Sequence, residues 1–193
     1  MKNLIIAGPP GSGKGTQAEK IAKQYNLLHI STGEVLRKAI KQKTPLGIIA
    51  QQRIDHGNFV PDEIALSIIK EYTEKFSNKV NGFIFDGFPR TLNQAVIFDS
   101  MLKEHKQELH AFILLYVDEK ITIERMLKRA EKSNRADDAN IDIIKHRIEV
   151  YHQLTEPIIE YYTQKGLLIE INGEKDVNTV FEGVLFKLNR IGL

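Results

Sequence analysis

Residues 8–16, Gly8-Pro9-Pro10-Gly11-Ser12-Gly13-Lys14-Gly15-Thr16, set one lysine among four glycines. Glycine lets a backbone curl with its N–H groups turned inward, and a side chain there would collide with whatever sat in the curl. Lys14 adds a full positive charge beside those N–H groups. Together they suit a polyphosphate, with Lys14 where β- and γ-phosphates would lie. The competing reading is a glycine-rich turn with no ligand. The placement of Lys14 directly after a motif glycine weighs against it.

Transfer of a phosphoryl group asks little covalent help from a protein. It asks for positioning, a metal, and positive charge around oxygens whose negative charge spreads. The arginines match that need. Arg37 and Arg90 follow expected strands, Arg125 and Arg129 lie four apart on one expected helix, and Arg135 falls in a short polar loop. Arg147 is inside a long helix. A solvated surface charge is the alternative for each, and it weighs more for Arg125 and Arg147.

The usual phosphate-loop pattern places Ser or Thr directly after the lysine, to hold Mg²⁺. Here that position is Gly15, and the hydroxyl comes one residue later, at Thr16. Another group must then organise the metal. Asp86 closes a strand without another charge, and a buried carboxylate is costly unless it meets a cation. It is the candidate for Mg²⁺, through water; a helix-capping or ion-paired acid is the alternative. Asp137 and Asp138 read as partners of arginines or as a helix cap. The six histidines show no metal-ligand spacing and read as structural or surface residues. Residues 172–176 match a guanine-reading Asn-Lys-x-Asp only loosely, which argues against a GTP-driven switch.

Positioning these groups requires strands and helices in alternation. Apolar runs at 4–7, 27–30, 82–86, 111–117 and 167–171 read as buried strands. Helical periodicity fills the spans between them, including 17–25, 61–76, 91–104, 121–132 and 141–162, with a bend expected at Pro157. Strands separated by helices call for a parallel sheet covered on both faces. Ligands then bind at the carboxyl ends of the strands, so the glycine loop, Asp86 and Asp118 are expected on one rim.

Composition agrees with a single α/β domain. The chain has 193 residues, 42% hydrophobic and 27% charged, with a net charge of +2, too small to argue for nucleic acid. No cysteine is present, which removes disulfides, thiol chemistry and cysteine zinc sites and fits a cytoplasmic setting. No apolar run is long enough for a membrane span or a signal peptide.

Five stretches, GPPGSGKGTQ, ISTGEVLR, GFIFDGFPRTLNQA, RMLKR…NRADD and HRIEVYHQLTEP, together resemble the adenylate kinase family, in its order and over nearly the whole chain. DGFPR with Gln four residues after its Arg is the most specific part. The resemblance implies a P-loop NTPase fold, a five-stranded parallel sheet flanked by helices, with a nucleoside monophosphate-binding insertion at 31–60 and a short lid at 128–138. It implies Mg²⁺-dependent conversion of ATP and AMP into two ADP by a cytoplasmic monomer acting on free nucleotides. Gly11, Ser12, Gly13, Lys14, Gly15 and Thr16 would hold ATP phosphates, with Arg129 also on ATP. Arg125 and Lys175 would border its adenine. Thr32, Arg37, Asn58, Phe59, Val60, Gly87, Phe88, Pro89, Arg90 and Gln94 would bind AMP. Arg135 and Arg147 would bridge toward AMP and the transferring phosphate.

The lid is shorter than the common bacterial form and, lacking cysteine, implies no zinc. Asn134 replaces a frequent glycine, and asparagine tolerates a left-handed turn. Related kinases act on UMP or CMP, and Thr32 and Gln94 speak for AMP. A nucleotide-binding protein without catalysis is the rival from another class; Lys14, Asp86, Arg90, Arg129 and Arg135 together weigh against it.

Overall fold

The computed structural model describes residues 1–132 and 136–193. The expectations for Asn134 and Arg135 therefore lie outside the described residues. Five strands, β1 (Lys2–Ala7), β2 (Leu28–Ser31), β3 (Gly82–Asp86), β4 (Ala111–Tyr116) and β5 (Leu168–Asn172), form one sheet in the order β2-β3-β1-β4-β5. Every pairing is parallel. The strands alternate with helices α1 (Lys14–Tyr25), α2 (Thr32–Lys41), α3 (Pro45–Ile54), α4 (Asp62–Phe76), α5 (Leu92–Glu104), α6 (Glu119–Ala130), α7 (Ile141–Val150), α8 (Glu156–Gln164) and α9 (Val177–Arg190).

Side chains along a strand point alternately to opposite faces, and the continuous apolar runs supply both faces. Ile5, Phe83, Phe85, Phe112 and Leu114 pack with Ile69 of α4, Phe98 of α5 and Tyr162 of α8. Leu4, Ile6, Ile84, Ile113 and Leu115 pack with Ala18 and Ile21 of α1 and Val184 and Leu188 of α9. Full burial of one such aliphatic or aromatic side chain stabilises by about 1.5–3 kcal/mol. The core thus runs through the sheet, and polar residues fall where strands end. Register sets Asp86 beside Ile6 of β1 and Ser31 of β2, so three strand ends meet at one rim.

Two elements differ from the sequence expectation. Helix α1 starts at Lys14 rather than near residue 17. Gly13 takes a left-handed conformation, φ 91°, and its carbonyl accepts from Gln17 N at 3.1 Å, so the loop turns directly into the helix. The long helix expected over 141–162 is divided. Between α7 and α8 the chain makes a π-helical turn, Tyr151–Thr155, in which Glu156 N–H bonds to Tyr151 O. Pro157 has no N–H to offer the carbonyl four residues back, and the wider turn immediately before it absorbs the missing bond.

Candidate active site

The glycine loop lies at the carboxyl end of β1. A Cβ at Gly8 would stand 2.4 Å from Leu115 O and one at Gly11 2.6 Å from Thr122 O, and both have positive φ, at 144° and 84°. Only glycine fits these two positions, because the loop is pressed onto β4 and α6. Ser12 is buried, and Ser12 N donates to Pro9 O at 3.1 Å. Lys14 folds back under the loop, where Nζ donates to Gly8 O and Pro9 O at 2.8 Å each. Lys14 is half-buried as a residue, with its ammonium turned inward. Burial, reinforced by Arg90, Arg147 and Arg129 and opposed by Asp86, lowers its pKa to about 7.

Asp86, at the end of β3, is buried, and its Oδ2 lies 3.5 Å from His29 Nε2. That distance is an ion-pair approach rather than a formed hydrogen bond, and His29 Nε2 is a buried nitrogen with no hydrogen-bond partner. Burial works to raise the Asp86 pKa, but His29, Lys14 and Arg90 outweigh it and hold the carboxyl below its ordinary value. A Cβ on Gly15 would sit 3.5 Å from Asp86 Oδ2, so the residue that replaces the usual hydroxyl faces this carboxylate. Asp86 is therefore not a helix cap. His29, read from sequence as structural or surface, belongs to the rim. Strand alternation puts it on the same face as Ser31, and Ser31 pairs in register with Asp86, a register that the sequence does not reveal.

The turn after β3 carries Gly87, Phe88, Pro89 and Arg90, with a cis peptide between Phe88 and Pro89. Arg90 Nε donates to Gly87 O at 2.6 Å, and its guanidinium lies 4.9 Å from the centre of the Phe59 ring. A Cβ on Gly87, φ 72°, would meet Arg90 Nη2 at 2.8 Å. Burial lowers the Arg90 pKa to about 10, and it remains charged at neutral pH. Thr32 Oγ1 donates to the same Gly87 carbonyl at 2.9 Å. Arg37 lies over Gly33, where a Cβ would come within 3.2 Å of Nη2. Burial pulls Arg37 below its ordinary range, with Asp137 opposing. Gln94 is buried, accepting at Oε1 from Arg90 N at 2.7 Å.

Arg129 and Arg147 meet over a buried acid. Arg129 Nε donates to Asp138 Oδ2 at 2.6 Å and Nη2 to Oδ1 at 2.9 Å, a two-pronged pair. Arg147 Nη1 reaches Asp138 Oδ1 at 2.6 Å and Asp137 Oδ2 at 2.8 Å. Burial works to raise the Asp138 pKa, and the two arginines hold it below its ordinary value. Of the alternatives left open for these acids, arginine pairing is the one seen. The cap of α7 is Asn140, which accepts from Asp142 N at 2.8 Å.

One cleft of ≈ 340 Å³ gathers these groups. Its lining includes Gly11, Gly13, Lys14, Gly15 and Thr16 of the loop and helix start, and Thr32, Arg37, Asn58, Phe59, Val60, the 87–90 turn and Gln94. Asp86, Arg129 and Arg147 also face it. Arg125 and Lys175 do not line it. Arg125 clamps the loop after β5, donating to Gly173 O at 2.8 Å and Glu174 O at 3.1 Å, and Lys175 is exposed on that loop. The loop borders the glycine loop all the same, since a Cβ on Gly173 would stand 3.3 Å from Ser12 O.

Asp118 departs from expectation. Its side chain caps α6, accepting from Lys120 N at 2.8 Å, and is absent from the cleft lining. Tyr151 and Thr155, which sequence reasoning passed over, do line it, and Thr155 Oγ1 donates to Arg90 O at 3.0 Å. A threonine two residues before a helix proline carries no local signal of such a tie, which depends on the π-helical turn.

Comparison with known proteins agrees with this architecture. The family model described as adenylate kinase matches residues 6–167. The adenylate kinase of Azobacteroides pseudotrichonymphae genomovar. CFP2 is 46% identical over 191 residues, covering 99% of both chains. That of Bacteroides fragilis strain YCH46 is 44% identical over 184 residues, 95% of this chain and 96% of the relative. That of Leptospira biflexa serovar Patoc (strain Patoc 1 / Ames) is 43% identical over 188 residues, 95% of this chain and the whole of the relative. With a family match over most of the chain and relatives of this identity over nearly its whole length, the chain belongs to the adenylate kinase family.

Proposed function

We propose that this chain catalyses reversible transfer of the γ-phosphoryl group of ATP to AMP, giving two ADP. The observation that carries the reading is one cleft lined both by the glycine loop with Lys14 and by a cluster of cations. Arg37, Arg90, Arg129 and Arg147 line it together with Asp86 and Gln94. A donor site alone would not need cations aimed at a second phosphate.

In this reading the loop N–H groups and Lys14 orient the β- and γ-phosphates of ATP. Arg37 and Arg90 hold the AMP phosphate, and Thr32, Asn58, Phe59, Val60 and Gln94 surround its base. An AMP phosphate oxygen attacks the γ-phosphorus as its bond to the β-phosphate oxygen breaks. Lys14 and the arginines, with Arg135 included in the proposal, neutralise the charge that spreads on the transferred oxygens. A phosphate oxygen is already ionised, so the step needs no general base.

The residues present fit a hydrated Mg²⁺ carried by ATP. Of the acids that line the cleft, Glu19, Glu34, Asp86 and Asp137, Asp86 is the one beside Gly15, and among the described residues no group of three His, Asp or Glu could build a metal cage. Mg²⁺ keeps several waters and binds through few carboxylates, so Asp86 would hold its water shell. When bound, the ion would supply positive charge against the phosphates of ATP. Residues 31–60 and 128–138 would close over the nucleotides and exclude water. A cytoplasmic monomer acting on free nucleotides is part of the same proposal. Among the described residues no helix is long and apolar enough to cross a membrane.

The test is ADP formation from MgATP with AMP, CMP, UMP and GMP supplied separately. Strong preference for AMP is the expected result. Preference for CMP or UMP would overturn the acceptor assignment, and no transfer to any acceptor with ATP still bound would overturn catalysis.

A further inference from the structure

Gln94 is held at both ends of its amide. Oε1 accepts from Arg90 N at 2.7 Å, and Nε2 donates to Asp62 Oδ1 at 2.7 Å. Asp62 is the first residue of α4, and its other oxygen takes two more bonds. Oδ2 accepts from Thr91 Oγ1 at 3.0 Å and from Asn93 Nδ2 at 2.9 Å. Thr91 in turn caps α5 by accepting from Gln94 N at 3.1 Å. One carboxylate thus ties the start of α4 to the side chain, the neighbour and the cap of Gln94. Gln94 lines the cleft and Asp62 does not.

A glutamine amide is nearly symmetric in shape, and turning it over exchanges a donor for an acceptor. Here the partners forbid the exchange. A backbone N–H can only donate and an ionised carboxylate can only accept, so Oε1 must face Arg90 N and Nε2 must face Asp62. Each end then keeps one unused function, the second N–H on Nε2 and a lone pair on Oε1. These form a donor-acceptor pair of fixed order.

We infer that Asp62 is a specificity-positioning residue, which sets the order in which the Gln94 amide meets the acceptor base. The inference rests on the acceptor-site reading above. A 6-aminopurine offers an exocyclic N–H donor beside a ring-nitrogen acceptor, and it matches the amide as held. A 6-oxopurine offers the reverse, a carbonyl beside a ring N–H, and meets donor against donor. Uracil reverses the order in the same way. Cytosine keeps the adenine order, so its rejection falls to the shape of the pocket rather than to this device. A site whose buried polar groups are left unpaired by the wrong base discriminates strongly.

The experiment compares kcat/KM for AMP and IMP, with MgATP as donor, in the wild type and in Asp62→Ser. Serine suits a helix start but is too short to hold Gln94. The AMP-to-IMP ratio is expected to fall about tenfold or more, through the AMP term, with the KM for ATP unchanged. Asp62→Asn, whose carbonyl oxygen can still accept from Nε2, is expected to keep most of the ratio. The Gln94 side-chain amide protons, followed by NMR in the nucleotide-free protein, are expected to exchange faster in Asp62→Ser than in wild type. This readout stands even if turnover is lost. A ratio unchanged in Asp62→Ser but lost in Gln94→Ala overturns the inference and leaves the acceptor site intact. A wild type with no preference for AMP over IMP overturns the acceptor reading itself, and the inference with it.

Discussion

If Lys14 holds the triphosphate as proposed, nucleotide binding is expected to be proton-linked. In the free protein its pKa is lowered to about 7, mainly by burial and then by three guanidinium groups, against the pull of Asp86. A triphosphate brings anionic oxygens to the same ammonium and raises that pKa. Binding therefore takes up a proton wherever the free lysine has lost one. Well below pH 7 the lysine is charged in both states and affinity is independent of pH. Above pH 7, affinity falls about tenfold per pH unit until the raised pKa is reached. From about pH 6 to about pH 8 the loss is about tenfold, or ~1.4 kcal/mol, and at about pH 8 uptake approaches ~0.9 proton per nucleotide. Titration calorimetry in buffers of different ionisation enthalpy measures that uptake directly. Saturating Mg²⁺ keeps the triphosphate ionised throughout. Lys14→Arg, which is charged at every pH used, is the control and should lose the uptake. Equal uptake in both proteins, or an affinity flat across this range, would refute the reasoning. It would mean that the carbonyl contacts at Gly8 and Pro9 outweigh burial and keep the ammonium fully charged.

Two further outcomes concern stability. Gly47 lies in α3 where a Cβ would stand 2.1 Å from Ala39 O of α2, a backbone atom that cannot swing aside. Gly47→Ala is expected to cost about 1–3 kcal/mol, and thermal melting should register it as a fall of roughly 3–10 °C; an unchanged melting temperature would show that α2 and α3 separate freely. The Asp138 carboxyl is fully buried against Arg129 and Arg147, and its pKa is lowered. Its stabilisation is therefore complete above the ordinary pKa of 3.8 and is lost as pH falls below that value. Asp138→Asn should cost about 2 kcal/mol at neutral pH, less than a fully buried pair because Arg129 is partly exposed, and should flatten the acid limb of denaturant melts taken at decreasing pH. An acid limb as steep as that of wild type would count against the pairing.

Much of this protein is local chemistry and was legible in the chain. Glycines at 8, 11 and 13 with Lys14 announce a phosphate loop because their spacing determines backbone conformation, which is a local property. The apolar runs announce five buried strands because both faces of a parallel sheet must be covered. The arginines are recognisable as candidates by type and by position after strand ends. Partnership is different, because it depends on which distant segments the sheet brings together. Strand order and register set Asp86 beside His29, and the antecedents of that contact are 57 residues apart in the chain. Asp118 follows an apolar run just as Asp86 does, yet β4 stops at Tyr116 and Asp118 caps α6, whereas Asp86 is the last residue of β3. The π-helical turn carries Thr155 to the Arg90 carbonyl, and the packing of α4 on α5 carries Asp62 to Gln94. Sequence alone settled which chemical groups are present and on which elements they ride, since both follow from residue type and short-range periodicity. Only the tertiary structure decided which donor meets which acceptor, since a hydrogen bond or an ion pair depends on distances that no local pattern encodes.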